Sequence, residues 1–430
     1  MKILLLSYHY PPASAVGGLR ARRIAESFRQ RGADVFVVAG PLEDGAIEPD
    51  DRVRRVTPSL DLRAHYLRLR GRHNGDRNAA GSADATKLEP QWTPPERTPF
   101  LKRQISSALW LPDDRQGWIL PVAARATEIV RREGIDLVYS TAPPFSALLA
   151  ALLVKRRTGV RWAIELRDPW TDNPSKPAFV RSAWSDAIER WLERRCLDRA
   201  DHVVAVTDSV SVKLRERVAG NDDRVITVRN GIERFVPARE AARPIRRIVY
   251  VGNLYQDRDP RPFLRAVARL KAAGRLDAGL RIDFIGDCRW LLGISIERFV
   301  AEHGLESNVT FTDPIPHDAC LERMRDADML LLLAQRQPLQ VPNKLYEYLG
   351  MRRPILAFAD AGGETTRMLN RVGGHCTIDP DADGRVVEVA VGRALAGHTT
   401  AVTKEADTVL HEWSWDRQFD ALHARVGGAS

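Results

Sequence analysis

The sequence MKILLLSYHYPPASAVGGLRARRIAESFRQRGADVFVVAG (1–40) contains the pattern that decides the fold. An apolar run, KILLLSY (2–8), is followed by an amphipathic stretch at about 18–31 and by a second apolar run, ADVFVVAG (33–40). Short apolar runs that alternate with helical stretches are typical of parallel strands that helices bury on both faces. The opening residues therefore predict a strand, a helix and a second, parallel strand of an α/β protein.

The same alternation recurs along the chain in two series. The first series continues with three apolar runs: DLVYST (136–141), VRWAIEL (160–166) and DHVVAVT (201–207). A second series follows an Arg-, Pro- and Ala-rich stretch, and its runs are RRIVYVGN (246–253), LRIDFIGD (280–287), NVTFTD (308–313), ADMLLLL (327–333) and RPILAFA (353–359). We predict two Rossmann-like domains, 1–235 and 246–403, with a linker near 236–245 and a terminal helical segment, 404–430.

The length and composition exclude several classes of protein. With 430 residues, of which 44% are hydrophobic, the chain can bury a full core, which excludes wholesale disorder. The four cysteines match no CxxC or zinc spacing, which argues against a disulfide scaffold and a cysteine metal site. No apolar run is long enough for a membrane span, and the N-terminus is typical of a strand rather than a signal peptide. The sequence predicts a cytoplasmic protein without a metal site.

Much of the net charge of +9 lies in one stretch of the first domain. Between Leu62 and Arg103 there are nine basic and four acidic residues, and an aperiodic insertion is predicted at about 70–99. No nucleic-acid-binding motif accompanies this charge, so anionic small molecules or a lipid surface are the better partners. Leu62, Tyr66 and Leu69 share one helical face among arginines, which is typical of a membrane-surface lid and equally of a plain surface helix. Peripheral contact with the inner membrane face therefore stays open.

Gly17 and Gly18 lie at the junction between the first strand and the first helix. Glycines at such a junction let a ligand approach the backbone, and the N–H groups of the helix start can face an anion. The loop does not contain GxGxxG, and no acidic residue follows at the expected position, which disfavours ordinary dinucleotide binding. Turn geometry alone is the alternative explanation of the two glycines.

Three charged residues lie where the apolar strand WAIEL ends and the loop RDPW begins, namely Glu165, Arg167 and Asp168. Loops at the carboxyl ends of strands bind ligands in open α/β sheets. We predict that Arg167 orients a donor phosphate or sugar, and that Asp168 or Glu165 holds an acceptor hydroxyl or accepts its proton. An Arg–Asp pair that only caps the loop is the alternative. His9, beside the YPP turn, is a further candidate near the sugar.

Six segments in order resemble the family-4 glycosyltransferases of the GT-B fold, in a branch common in polysaccharide biosynthesis. They are the opening strand, YPP turn and GG loop; STAPPFSALLAALLVKRRTG with WAIELRDPWTDNP; VRNGIERF; VYVGNLYQDRDPRPFLRAVARL; VPNKLYEYLGMRRPILAF; and WSWDRQF. The resemblance implies two Rossmann-like domains that face a cleft, with the C-terminal helix returning to the N-terminal domain. It also implies transfer of a sugar from a nucleotide donor to an acceptor hydroxyl with retention, in glycan, glycolipid or natural-product biosynthesis.

The resemblance implies further that the C-terminal domain binds the donor, a UDP- or GDP-linked sugar, without a separate cofactor or a metal. Lys344 and Glu347 lie three residues apart and therefore share a helix face. By resemblance, Glu347 receives the ribose hydroxyls and Lys344 lies near the diphosphate. A surface ion pair between the two is the alternative. The acceptor hydroxyl could belong to a lipid-linked or anionic molecule, and no nucleic acid partner is expected.

The chain departs from the family pattern at three positions. Leu339 stands where the family usually has a glutamate, eight positions before Glu347. Asn253 and Asp259 replace the basic residues that commonly bind the diphosphate. Two arginines of the same loop, Arg258 and Arg261, could supply that charge, since a guanidinium can give phosphate two donors at once. These departures keep two alternatives open, a nucleotide-sugar 2-epimerase of the same fold and a catalytically degenerate accessory subunit.

Overall fold

The structure is a computed structural model, and it describes residues 1–12, 16–42, 48, 50–59, 100–173, 181–218, 222–238, 244–400 and 402–427. The predicted insertion at 70–99, and the predicted helical face of Leu62, Tyr66 and Leu69, lie outside these residues. The chain folds into two compact units. The first contains Met1–Val228 together with the chain end from Ala421, and the second contains Arg229–Asp420.

A seven-stranded sheet forms the centre of the first unit. Its strands are β1 (Lys2–Ser7), β2 (Asp34–Ala39), β3 (Val53–Arg55), β4 (Leu137–Ala142), β5 (Arg161–Leu166), β6 (His202–Ala205) and β7 (Val225–Thr227). They lie in the order β3-β2-β1-β4-β5-β6-β7, and every neighbouring pair is parallel. In the central register Leu4 lies opposite Phe36 on one side and Val138 on the other. All six residues of β4 are buried, as expected for a strand covered on both faces.

Helices connect these strands. They are α1 (Val16–Gln30), α2 (Phe100–Leu109), α3 (Ile119–Glu133), α4 (Ser146–Thr158), α5 (Ala183–Arg199) and α6 (Asp208–Arg217). Capping residues set several of their ends. The hydroxyl of Ser182 accepts a hydrogen bond from the Ser185 amide at the start of α5. Gly134 and Gly159 end α3 and α4 with φ of 65° and 72°, the left-handed conformation that glycine adopts without strain.

The second unit contains a six-stranded parallel sheet. Its strands are β8 (Arg247–Val251), β9 (Arg281–Ile285), β12 (Val309–Thr312), β13 (Met329–Ala334), β14 (Ile355–Ala359) and β15 (Cys376–Ile378), in the order β12-β9-β8-β13-β14-β15. A separate antiparallel hairpin pairs β10 (Trp290–Leu291) with β11 (Ile294–Ser295). The helices are α7 (Arg261–Ala272), α8 (Ile296–Glu302), α9 (His317–Arg325), α10 (Asn343–Gly350), α11 (Glu364–Val372), α12 (Gly384–Leu395) and α13 (Ala406–Glu412). Both faces of the sheet carry an apolar core.

The last helix, α14 (Trp415–Val426), ends within the first unit. The His423 ring lies edge-on to Phe28 with centroids 4.4 Å apart, and its Nε2 is 3.2 Å from the Ser27 hydroxyl. The Arg161 guanidinium donates to the Val426 carbonyl at 2.9 Å. The described helices include none that is both long and apolar enough to cross a membrane.

All four cysteines are free thiols. Cys196, Cys288 and Cys320 are buried, and Cys376 is half-buried. Burial raises the pKa of each thiol above its ordinary value, to about 12 for Cys288. The Cys288 thiol also donates to the Gly252 carbonyl at 3.0 Å. The thiolate form of each residue is therefore rare near neutral pH.

The buried His375 makes the second unit sensitive to acid. Its Nδ1 accepts a hydrogen bond from the Ile355 amide at 3.2 Å, and burial lowers its pKa from 6.5 to about 4. Since the fold requires the neutral ring, stability present above pH 6.5 is lost as the pH falls towards 4. We expect wild-type chain to lose about 2 kcal/mol more than His375→Asn between about pH 7 and about pH 5, measured by urea unfolding. Equal losses in both proteins would contradict this assignment.

Candidate functional site

The strand order places one candidate site at the carboxyl ends of the central strands of the first unit. Chain connections leave β1 and β4 in opposite directions, so the loops after these two strands diverge at their carboxyl ends. Such a switch point is where open α/β sheets bind ligands. The residues that meet there come from the start of α1, from the segment after β4 and from the loop after β5.

Arg167 joins these three segments. Its Nη1 donates to the Gly17 carbonyl at 2.7 Å and its Nε to the Ala142 carbonyl at 3.2 Å, while Nη2 donates to the Pro143 carbonyl. Burial lowers the pKa of the guanidinium, and the charges of Glu165 and Asp168 act in the opposite direction. A guanidinium has five N–H donors, so carbonyl groups fix this cation at the switch point and leave it donors for a ligand.

Glu165 lies inside the unit, with no exposed surface. Its carboxylate accepts hydrogen bonds from Arg20 at 2.8 and 3.1 Å, from the Tyr139 hydroxyl at 2.9 Å and from the Thr141 hydroxyl at 2.6 Å. Burial acts to raise its pKa, but the charge and hydrogen bonds of Arg20, with the Thr141 bond, outweigh it and lower the pKa. This geometry favours a positioning role over the predicted contact with an acceptor, because the carboxylate is enclosed and its acceptor positions are occupied.

The other sequence-predicted residues of this unit lie near Arg167. Asp168 follows it directly and is half-buried. A Cβ atom on Gly18 would lie 3.4 Å from the backbone of His9, which is ordinary contact, so the first turn of α1 lies against the YPP turn. Burial lowers the pKa of His9, and the charges of Arg167 and Arg115 lower it further. His9 is therefore a neutral imidazole near neutral pH.

Gly17 is the glycine that the structure requires beside Arg167. A Cβ atom there would lie 2.5 Å from Arg167 Nη1, so an alanine must displace the guanidinium. We expect Gly17→Ala to lower turnover about tenfold with little change in melting temperature, since the displaced group ends a flexible chain. A double-mutant cycle with Arg167→Ala provides the check. Fully additive losses in kcat/KM would show that Gly17 acts independently of Arg167.

The second unit has its own switch point, between β8 and β13. The loop after β8 meets the end of β13 there, because Gln335 Nε2 donates to the Asp259 carbonyl at 2.7 Å and the Asp259 amide donates back to Gln335 Oε1 at 3.3 Å. The Tyr348 hydroxyl on α10 accepts a hydrogen bond from the Val251 amide at 2.9 Å. These bonds fix the loop that contains Arg258 and the helix that contains Lys344 beside the same two strands.

The two arginines of this loop have different environments. Arg261 is held by Asp259 through bonds of 2.7, 2.9 and 3.0 Å, and this hydrogen bonding raises its pKa. Arg258 stacks on the Tyr255 ring at 4.4 Å and is hydrogen-bonded to Tyr250. Within the described residues its Nε has no hydrogen-bond partner, and it forms no ion pair. Of the two, Arg258 is therefore the better placed to bind an anion.

Lys344 and Glu347 meet on the predicted helix face. Lys344 Nζ lies 2.7 Å from Glu347 Oε2, and His317 Nε2 lies 3.5 Å from Glu347 Oε1. The two side chains expose 25% and 20% of their surface, so both can reach a ligand. The ion pair that the sequence left as the alternative is formed in this structure. In the absence of a ligand, each of the two groups balances the charge of the other. The pair is partly exposed and does not prevent either side chain from contacting a ligand.

Asn253 lies at the turn after β8, where its Oδ1 accepts a hydrogen bond from the Asp287 amide at 3.1 Å. Its side chain is exposed and thus available to a ligand as well. A metal would need a cluster of His, Cys, Asp or Glu, and no cluster of three or more suited to one occurs in the part of the chain that the structure describes.

The partners that hold these residues were not predicted from the sequence. Arg20, Tyr139 and Thr141 surround Glu165, and Gln335 and Tyr348 fix the second switch point. Arg20 is followed along α1 by buried apolar residues, and an arginine beside such a face was a usable signal for a buried ion pair. The other partners gave no signal in the sequence, because only the order of the strands in the sheet brings them close to the groups they bind.

Known proteins share the sequence pattern of the first unit. Residues 17–231, half of the chain, match the family model of the glycosyl transferase 4-like domain. Alpha-D-kanosaminyltransferase from Streptomyces kanamyceticus is 24% identical over 195 residues, 42% of this chain and 48% of that protein. The match thus spans about half the length of this curated relative.

Two solved structures are similar over almost the whole chain. Sucrose-phosphate synthase from Thermosynechococcus elongatus is similar with a TM-score of 0.66 and 15% identity over 100% of both chains. Anabaena Alr3699/HepE in complex with UDP and glucose is similar with a TM-score of 0.61 and 13% identity over 99% of both chains. At such identities the similarity establishes the fold.

Proposed function

Because this chain belongs to the glycosyl transferase 4-like family, we propose that it transfers a sugar from a nucleoside-diphosphate sugar to an acceptor hydroxyl, with retention at the anomeric carbon. The predicted membership of family 4 and the predicted GT-B fold, with two Rossmann-like domains, are confirmed by the family match and by the similar structures. The identity of the donor and the acceptor, the stereochemistry of transfer and the roles of individual residues belong to our proposal.

In this proposal the second unit binds the donor. The observation that supports it most directly is the environment of Arg258. A cation without an ion pair among the described residues, stacked on a tyrosine at a switch point, is suited to a diphosphate. Lys344 and the start of α10 add positive charge at the same strand ends. Departure of a nucleoside diphosphate develops negative charge, which such preorganised groups stabilise. Glu347 accepts hydrogen bonds from the ribose hydroxyls, Asn253 contributes its amide, and Arg261 orients the loop through Asp259.

The first unit supplies the sugar and acceptor side. Arg167 orients the sugar or a phosphate through the donors that the carbonyl groups leave to it. Asp168 holds the acceptor hydroxyl. Glu165 is buried inside the unit, where its ion pair with Arg20 positions this region. The first turn of α1, at Gly17 and Gly18, offers amide groups to an anion.

Two of the similar proteins support a narrower form of this proposal. UDP and glucose are bound in the Anabaena structure, and the curated relative is named for transfer of kanosamine. We therefore propose a UDP- or GDP-linked donor, no separate cofactor, and a place in glycan, glycolipid or natural-product biosynthesis. We place the enzyme in the cytoplasm with peripheral contact at the inner membrane face, where a lipid-linked or anionic acceptor would be met.

A ligand screen followed by a turnover assay tests this proposal. We expect one nucleotide and its sugar conjugate to raise the melting temperature, because a ligand that binds only the native state stabilises it. The stabilising donor is then incubated with and without a pool of acceptors. Release of nucleoside diphosphate that requires an acceptor supports the transferase. If isomerised donor forms without acceptor, the protein is a 2-epimerase and not a transferase. If the donor binds but is never turned over, the protein is an accessory subunit.

A further inference from the structure

Helix α5 (Ala183–Arg199) presents large apolar side chains to solvent. Trp184, Ile188 and Trp191 are spaced by four and three residues and therefore lie on one face of the helix. They are 39%, 39% and 56% exposed. Aromatic side chains of this size are usually buried, and a cluster of them at the surface marks an interaction site.

Arginines extend the same outward face. Arg195 and Arg199 continue the line of the two tryptophans, and Arg190 and Arg194 lie to one side of it, all exposed. The Arg195 guanidinium lies 5.3 Å from the centre of the Trp191 ring. We call this face, with Trp184, Ile188, Trp191 and the four arginines, the Trp–Arg surface.

The acidic residues of α5 are mostly turned away from this surface. Glu189 and Glu193 are 2% and 3% exposed, and Glu193 binds the Thr171 hydroxyl at 2.6 Å and Arg217 at 2.8 Å. Asp186 is half-buried, which leaves Asp198 as the exposed acid of the helix. An amphipathic helix of a soluble protein usually has its charges of both signs outside. Here the outward face combines apolar side chains with four arginines and one acid, Asp198, and its net charge is positive.

Helix α2 continues the apolar part of the surface. Trp184 Nε1 donates a hydrogen bond to Gln104 Oε1, which joins α2 to α5. Phe100 lies one turn before Gln104 on the same side of α2 and is 70% exposed. The Arg103 guanidinium lies 6.0 Å from its ring. The pattern of an exposed aromatic with an adjacent arginine is thus repeated on a second helix.

We propose that the Trp–Arg surface docks the chain on a bilayer that contains anionic lipids. Tryptophan is enriched at the headgroup level of membranes, and interfacial helices combine an apolar stripe with arginines that face anionic headgroups. A second copy of this chain is a poor occupant, because two such faces would bring eight guanidinium groups together. This proposal rests on the proposed function. It identifies the surface by which the first unit, which binds the acceptor, would be held at a membrane that contains a lipid-linked or anionic acceptor.

Vesicle sedimentation of the full chain tests the proposal. We expect the wild type to bind phosphatidylglycerol-containing vesicles and not vesicles of phosphatidylcholine alone. Arg195→Gln with Arg199→Gln should weaken binding about 25-fold, which corresponds to about fivefold for each arginine. Trp184→Ser with Trp191→Ser should weaken it about tenfold, as apolar surface remains in water. Melting temperatures near the wild-type value show that the variants fold, since all four side chains are exposed.

Two matched controls distinguish this surface from charge or apolarity in general. Arg156→Gln with Arg157→Gln removes the same charge from exposed positions of α4, and Val386→Ser with Val389→Ser removes exposed apolar groups from α12. Both controls should bind vesicles as the wild type does. Equal losses in controls and test variants, no vesicle binding by the wild type, or a dimer that the tryptophan variants dissociate would each overturn the proposal. Transferase activity without vesicle binding contradicts only this surface, and vesicle binding without activity contradicts only the transferase.

Discussion

Replacement of Lys344 by alanine is expected to lower kcat/KM for the nucleotide-sugar donor about a hundredfold, because a cation at the departing diphosphate is lost. Stability should change by less than about 1 kcal/mol, since the Lys344–Glu347 pair is partly exposed and such pairs contribute little. Steady-state kinetics and calorimetry of nucleotide binding measure the two effects. Glu347→Ala should weaken nucleotide affinity about tenfold through the loss of the ribose contact.

A second ion pair of the same unit provides the control. Arg298 Nε and Glu302 Oε1 on α8 are 2.7 Å apart, the same separation as in the Lys344 pair, and Arg298 is 81% exposed. Arg298→Ala should keep wild-type kinetics within about twofold. Wild-type nucleotide affinity in Lys344→Ala and Glu347→Ala would show that the donor binds elsewhere.

Glu165→Ala is expected to cause the largest loss of stability, about 3–5 kcal/mol, because it leaves Arg20 as an uncompensated buried charge. Chemical denaturation followed by circular dichroism measures the free energy of unfolding. Glu165→Gln should cost less, since the amide keeps the shape and still accepts from Tyr139 or Thr141. Glu128→Ala, which removes a half-exposed carboxylate that pairs with Arg125 and Arg132, should cost less than about 1 kcal/mol.

The pH dependence identifies the buried carboxylate independently. The pKa of Glu165 is lowered in the folded chain, so its contribution is present above the pKa of the unfolded carboxyl, 4.5. It is lost as the pH falls from there through the folded pKa. The wild type should therefore lose stability in this acid range more steeply than Glu165→Gln. Equal slopes, or a wild-type stability in Glu165→Ala, would contradict the assignment of a buried ion pair.

The inner strands of both sheets could be predicted because parallel strands buried on both faces must be continuously apolar. The short edge strands β3, β7 and β15 were not among the predicted runs. KILLLSY (2–8) contains β1 at Lys2–Ser7, and RRIVYVGN (246–253) contains β8 at Arg247–Val251. Each boundary follows from where the apolar run meets a polar or glycine residue. The order of the strands within each sheet did not follow from the apolar runs, and this order decides which loops meet.

The candidate site was only partly predictable for that reason. Arg167 was identified as a cation after a strand, but its carbonyl partner at Gly17 lies 150 residues away along the chain. Glu165 was expected beside an acceptor because a charged residue at a strand end usually faces a ligand. Its side chain instead meets Arg20, which lies 145 residues away along the chain.

The protonated thiols, three of them buried, have a practical consequence for spectroscopy. Maleimide reagents attack the thiolate, so the native cysteines should react slowly and need no replacement. A single cysteine introduced at an exposed position of each unit would then carry a fluorophore or spin label without background. Distances between the two labels, with and without nucleotide, would show directly whether donor binding moves one unit relative to the other.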